Sequence, residues 1–230
     1  MKNLLESFRD YVAVETLDGE NKYQAEGYGL QDAKKGIIFQ SFPPVLHLQL
    51  KRFEYDVQRD AMVKVCVPRS KSVESMLILN SQINDRHEFP FEIDLSEFLD
   101  ESADRSQPWI YKLHGVLVHS GDLHGGHYFA CIKPDASTRW LKFDDDRVTP
   151  VTDREVLEEN FGGEVLNGVP PTLQRNQVRS MKRFSNAYML VYIREAATED
   201  VLPPFKEEDT PAHLSKRYRS VRFLPLMASY

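Results

Sequence analysis

Val118-His119-Ser120-Gly121-Asp122-Leu123-His124-Gly125-Gly126-His127-Tyr128 ends one strand, crosses a glycine-rich loop and begins another strand at His127. Glycines let a backbone take positive φ and come close to a ligand. Loops held between rigid strands are common functional sites. Downstream, Trp140-Leu141-Lys142-Phe143-Asp144-Asp145-Asp146 supplies carboxylates. If residues 127–132 and 139–144 form a hairpin that turns between Asp135 and Ala136, His127 and Asp144 stand directly opposite one another. Their Cβ atoms would then lie roughly 4.5–5.5 Å apart, close enough for a carboxylate to bond an imidazole N–H. An aspartate so placed fixes the tautomer and stabilises the imidazolium, as a histidine general base requires. A slip of one residue would turn Asp144 to the other face.

Further strands flank this pair. In Val45–Phe53, Leu46, Leu48 and Leu50 alternate with His47, Gln49 and Lys51, the period of a half-buried strand. Tyr111–His119 is apolar on both faces and reads as central. Ala187–Arg194 is the last strand. Phe89–Asp94 contains Pro90 and reads as an edge strand, and Ser96–Leu99 as one helical turn. Thr152-Asp153-Arg154-Glu155 is a capping box that opens a short helix. Leu4–Leu17 has no clear period, and Tyr28–Gly36 reads as a loop or short helix. The expectation is an α+β chain built on an antiparallel sheet, with Leu46, Leu48, Leu50, Met189 and Val191 in the core and Lys51 and Arg52 as surface cations.

Hydrophobic residues make up 41% and charged residues 28%, a balance that can build a globular core. A net charge of −6 argues against nucleic acid as a partner, because phosphate binding needs clustered Lys and Arg. No stretch approaches the roughly 20 apolar residues of a membrane helix, and the start of the chain lacks a signal-peptide core. Cys66 and Cys131 form no CxxC pair, so a zinc knuckle and a disulfide framework are both disfavoured. An intracellular protein of the cytoplasm or nucleus is expected, with no cofactor and no membrane partner.

Gly125-Gly126-His127-Tyr128, Trp140 and Phe143-Asp144-Asp145-Asp146 together resemble the histidine box of the ubiquitin-specific proteases. Leu48-Gln49-Leu50-Lys51-Arg52-Phe53 and Ala187-Tyr188-Met189-Leu190-Val191-Tyr192 resemble two more boxes of that family, in the family's order. Asp18-Gly19-Glu20-Asn21-Lys22-Tyr23 and Asn84-Asp85-Arg86 narrow the likeness to the herpesvirus-associated member and its fungal relatives. The resemblance implies a papain-like cysteine protease whose palm and part of whose fingers occupy residues 1–195, without the thumb. It implies hydrolysis of bonds after the C-terminal glycine of ubiquitin, with ubiquitin and ubiquitinated proteins as partners. His127 would be the general base and Asp144 its orienting group. Gly125, Gly126, Tyr128, Asp122, His124 and Tyr55 would border the channel for the ubiquitin tail.

The family's nucleophilic cysteine precedes the region matched here. Cys131 is a poor substitute, since it lies four residues beyond His127 on one strand, roughly 13 Å along at about 3.3 Å per residue. The chain alone is therefore expected to be inactive, and a ubiquitin-binding piece without catalysis is the alternative. A further alternative is a metal site of His119, His124 and His127 with Asp122 or Asp144, a ligand set that suits zinc, although no HExxH helix accompanies it. Asp145 and Asp146 read as a solvated turn. Residues 65–82 interrupt the family pattern and are expected to be an anomalous insertion, whose ends are compatible with an unremoved intron. Residues 196–230 read as an acidic linker and unstructured tail.

Overall fold

The computed structural model describes residues 3–52, 54–56, 61–63, 86–121, 126–135, 139–166, 180–182, 185–204 and 206–214. The insertion at 65–82 and the tail from 215 onward lie outside the described residues.

In chain order the elements begin with α1 (Leu4–Tyr11), capped by the Asn3 side chain accepting from the Glu6 N–H at 2.8 Å. Next come β1 (Glu15–Leu17), β2 (Tyr23–Ala25), β3 (Gly29–Gln31), β4 (Ala33–Lys35) and β5 (Val45–Gln49). β6 (Glu54–Asp56), β7 (Ala61–Val63) and β8 (Glu92–Asp94) follow. β9 (Ile110–Gly121), β10 (Gly126–Ile132), β11 (Trp140–Asp144) and β12 (Arg147–Val151) form a meander. The chain continues through α2 (Asp153–Leu157), β13 (Glu164–Leu166), β14 (Ser180–Lys182), β15 (Ser185–Arg194) and α3 (Thr198–Val201).

One antiparallel sheet organises the chain. Its strand order is β12-β11-β10-β9-β15-β5, and β8 pairs with the first residues of β9. β9 is central, as its two apolar faces predict: Tyr111, Val116 and Val118 are fully buried. The last strand, β15, lies between β9 and β5. Leu46 is buried on β5, with Leu48 and Leu50 packed against the same core. Phe8 of α1 enters an aromatic cluster with Phe39, Phe42 and Phe98, which fastens the helix to the sheet. Each such buried side chain contributes about 1.5–3 kcal/mol. The Thr152 capping box forms in full at the start of α2.

Four places differ from expectation. On β15 the core residues are Leu190 and Tyr192, fully buried, whereas Met189 and Val191 are only half-buried. Residues 28–36 hold strands rather than a helix or open loop: β2 and β3 form a hairpin, and β4 returns to pair with β1. Gly27 and Gly29, at φ 79° and 73°, make that tight return possible. The expected linker begins with the helical turns of 195–201, where an ion pair between Lys112 and Glu195 ties the chain to β9. Arg52 is buried, at 8% exposure, and is no surface cation. Its Nε donates to the carbonyl of Ala187 at 2.8 Å and its Nη2 to that of Phe161 at 3.5 Å. Ala187 borders the bulge where β15 slips its register on β9. A bulge disrupts the ladder and leaves backbone groups in need of partners, and the guanidinium satisfies one of them.

Candidate active site

The β10–β11 hairpin carries the site, with a register different from the one expected. Ala130 pairs with Phe143, Cys131 with Lys142 and Ile132 with Leu141, which places the centre of the turn one residue later. Lys133 explains the delay: its N–H donates to the His114 carbonyl at 3.0 Å, so the chain stays on β9 before turning back. Moving the centre by one residue shifts each partner by two, and a two-residue shift preserves the face. Asp144 is thus a diagonal rather than a direct neighbour of His127, still within reach of a long polar contact. His127 Nε2 and Asp144 Oδ1 are hydrogen-bonded.

A carboxylate accepts but cannot donate, so Nε2 carries the proton and Nδ1 keeps its lone pair. The Asp144 hydrogen bond holds the His127 pKa above the ordinary histidine value, against opposing desolvation and the Lys142 charge. The other Asp144 oxygen, Oδ2, receives Lys142 Nζ at 2.6 Å. Hydrogen bonds from Lys142 and His127 hold the Asp144 carboxyl below its usual range. Lys142 Nζ also sits 4.0 Å over the Phe129 ring, which fixes the lysine from its other side. His127 and Asp144 side chains are 48% and 28% exposed, so the pair is reachable from solvent.

His127, with Lys142, opens on a cleft of about 600 Å³ that also touches Ser120, Phe129, Cys131, Glu155 and Ser185. Cys131 is buried, and burial pushes its thiol up to about 11. That favours the thiol over the reactive thiolate. The opposite face of the sheet has a second cleft, about 460 Å³, bordered by Leu50, Arg52, His119, Tyr128 and Tyr188. Tyr128 is 59% exposed and meets Tyr188 edge-on at 5.6 Å. The structure therefore puts Tyr128 one residue from His127 but on the other face.

Of the remaining expected site residues, Asp122, His124 and Gly125 lie outside the described residues, as does Cys66. Tyr55 falls on β6, paired with Met62. A metal site shared by His119 and His127 fails on geometry. His119 pairs with Tyr128 and His127 with Ser120, so the two imidazoles leave opposite faces. Among the described residues, His127, Asp144 and Asp145 are close enough to share a cation, their ligand atoms lying within 4.8 Å. Asp144, however, is already engaged by His127 and Lys142. Asp145 sits at φ 52° in the two-residue turn into β12, a conformation aspartate tolerates. Sequence reasoning missed Lys142 as the second partner of Asp144. The signal was available, since residues two apart on a strand share a face.

The profile of the family described as ubiquitin carboxyl-terminal hydrolase matches residues 7–192. The chain is 54% identical over 220 residues to ubiquitin carboxyl-terminal hydrolase 15 of Schizosaccharomyces pombe, covering 93% of this chain and 17% of that protein. It is 49% identical over 223 residues to ubiquitin C-terminal hydrolase 12 of Arabidopsis thaliana, covering 95% and 18%. It is 44% identical over 216 residues to ubiquitin carboxyl-terminal hydrolase 7 of Drosophila melanogaster, covering 94% and 16%. The chain thus spans about a sixth of the length of these relatives. Among solved structures, a variant SAGA Ubp8/Sgf11/Sus1/Sgf73 DUB module superposes with TM-score 0.55 at 25% identity, covering 84% of this chain and 33% of that one. The same module bound to ubiquitin aldehyde gives TM-score 0.55 at 24% identity, covering 84% and 34%.

Proposed function

Because the chain belongs to the ubiquitin carboxyl-terminal hydrolase family, we propose that it supplies the base and its orienting carboxylate to a thiol hydrolase acting on ubiquitin conjugates. The observation that carries this is the commitment of His127 Nε2 to Asp144, which leaves Nδ1 as the base. In the intact protein a cysteine thiol gives its proton to Nδ1, and the thiolate attacks the carbonyl carbon of ubiquitin's C-terminal glycine. The imidazolium then gives that proton to the leaving amine, and water, deprotonated by the same Nδ1, cleaves the thioester and releases the thiol. Asp144 stabilises the imidazolium between these steps, and Lys142 keeps Asp144 ionised.

Gly126 and Tyr128 would border the ubiquitin tail, together with Asp122, His124, Gly125 and Tyr55. The ubiquitin aldehyde bound by the DUB module supports ubiquitin as the partner. The fungal matches support the narrower likeness to the herpesvirus-associated member and its fungal relatives. A reducing compartment, cytoplasm or nucleus, suits a chain with two cysteines and no pair spacing.

Cys131 favours a second reading, a ubiquitin-binding piece without catalysis, because its thiol is buried and lies roughly 13 Å along the strand from His127. The chain can be titrated with ubiquitin, and with ubiquitin lacking its terminal glycines, while NMR follows His127 and Tyr128. Intact ubiquitin is expected to shift both residues and the truncated form neither. A His127 that ignores intact ubiquitin overturns the proposal. A ubiquitin carrying a C-terminal warhead separates the two readings in the intact protein, where an adduct lost in His127→Ala supports the first; the same warhead is then offered to this chain alone. No adduct is expected, and an adduct abolished by Cys66→Ala or Cys131→Ala would make this chain a complete enzyme.

A further inference from the structure

We propose that His119 is a positioning residue for His127: its imidazole occupies the space of a side chain at Gly126 and thereby sets the backbone from which His127 projects. A Cβ built on Gly126 would lie 2.0 Å from His119 Nε2, 2.8 Å from Cε1 and 2.9 Å from Cδ2. Gly126 is not among the glycines with positive φ. Glycine is required there for room, not for backbone angle.

His119 has little freedom to yield. It is 4% exposed, and its ring lies 4.7 Å from that of Tyr128, its direct cross-strand partner. Asn186, fully buried, pairs with it from β15. Gly126 faces Gly121 in the last described pair of the β9–β10 ladder. The His119 ring, reaching diagonally from His119 to Gly126, is what the end of β10 rests on. His127 is the next residue and projects to the opposite face, where it meets Asp144.

The magnitude decides what a side chain at 126 would do. Ordinary van der Waals contact for a Cβ begins near 3.4 Å and the available distance is 2.0 Å, so the backbone or the ring must give by about 1.4 Å. Hydrogen bonds weaken over a few tenths of an ångström. If the backbone gives, the bond between His127 and Asp144 is lost. His119 thus couples the Tyr128 face of the sheet to the geometry of the base on the other face.

The proposal rests on His127 being the base, but its test uses neither ubiquitin nor turnover, so the two can fail separately. Long-range 15N NMR of the full chain reports which His127 nitrogen carries the proton. In wild type, Nε2 is expected to be protonated and hydrogen-bonded. Gly126→Ala is expected to replace this by a mixture of tautomers, and the double variant His119→Ala/Gly126→Ala to restore it. Overall stability, read by thermal melting, is expected not to track the His127 signal. A folded Gly126→Ala with the wild-type signal overturns the proposal. If Gly126→Ala alone does not fold, the double variant decides. Recovery of fold and signal supports the clamp, and failure to recover either overturns it.

Discussion

Replacing Arg52 by methionine should unfold the chain far more readily than any surface change would. The Nε hydrogen bond to Ala187 is well formed at 2.8 Å, and a bond from a charged group is worth about 1.5–3 kcal/mol. The Phe161 contact, at 3.5 Å, lies at the outer limit and adds little. Methionine fills much of the volume but leaves the buried Ala187 carbonyl without this donor, so the expected loss is about 2–4 kcal/mol. Against a total of roughly 5–15 kcal/mol, that is a large fraction. Trp109 and Trp140, the two tryptophans of the chain, are both buried and report unfolding by fluorescence. With a urea slope of about 1–3 kcal/mol per molar, the midpoint should fall by roughly 1–2 M at unchanged slope. Arg52→Lys should recover less than half, because a compact, strongly hydrated ammonium is costlier to bury than a guanidinium and lacks its planar N–H aimed at the Ala187 carbonyl. A change within about 0.5 kcal/mol, the range of surface substitutions, would refute this and return Arg52 to the solvent-facing side of its strand.

His127 should titrate above the ordinary value near 6.5, because Asp144 favours its charged form. Asp144→Asn should lower it, as NMR titration can show; an unchanged value would mean that the carboxylate does not orient the ring. A raised folded pKa stabilises the fold below the unfolded value, and that stabilisation fades as pH rises through the folded value. Cys131, with its thiol pushed up to about 11, should resist iodoacetamide at pH 8 in the folded chain and react in urea. Peptide mass spectrometry decides this, and ready alkylation without urea would contradict the burial. For residues 65–82, we propose an unremoved intron, and transcript reads across the junction that all retain the segment would end that idea.

Much of the sheet could be read from residue patterns, because half-buried strands leave a period of two. Leu46, Leu48 and Leu50 identify β5, and the doubly apolar run before His119 identifies the centre. The His127–Asp144 contact survives a wrong register because the error is even. What the sequence hides are contacts between distant segments. Arg52 follows an alternating strand and looks exposed. Only the bulge at Ala187, 135 residues later, gives it a buried partner. Gly126 reads as loop flexibility, whereas the fold makes it a seat for the His119 ring. Residues 28–36 mislead because strands this short carry no periodicity of their own, and only pairing defines them.

The place of β15 between β9 and β5 also dictates the order in which a growing chain can assemble. The meander from β9 to β12 joins neighbours in sequence, so His127 and Asp144 can meet soon after both are synthesised. Among the described residues β5 pairs in the sheet only with β15, which begins 136 residues after β5 ends by the numbering of Gln49 and Ser185. Closing so long a loop costs entropy before any contact repays it. During synthesis β5 and β9 therefore both present open edges to other chains. A ribosome that stalls before Ser185 releases a polypeptide with its histidine–aspartate pair in place and its sheet split in two, a species marked for chaperones or aggregation rather than for slow maturation.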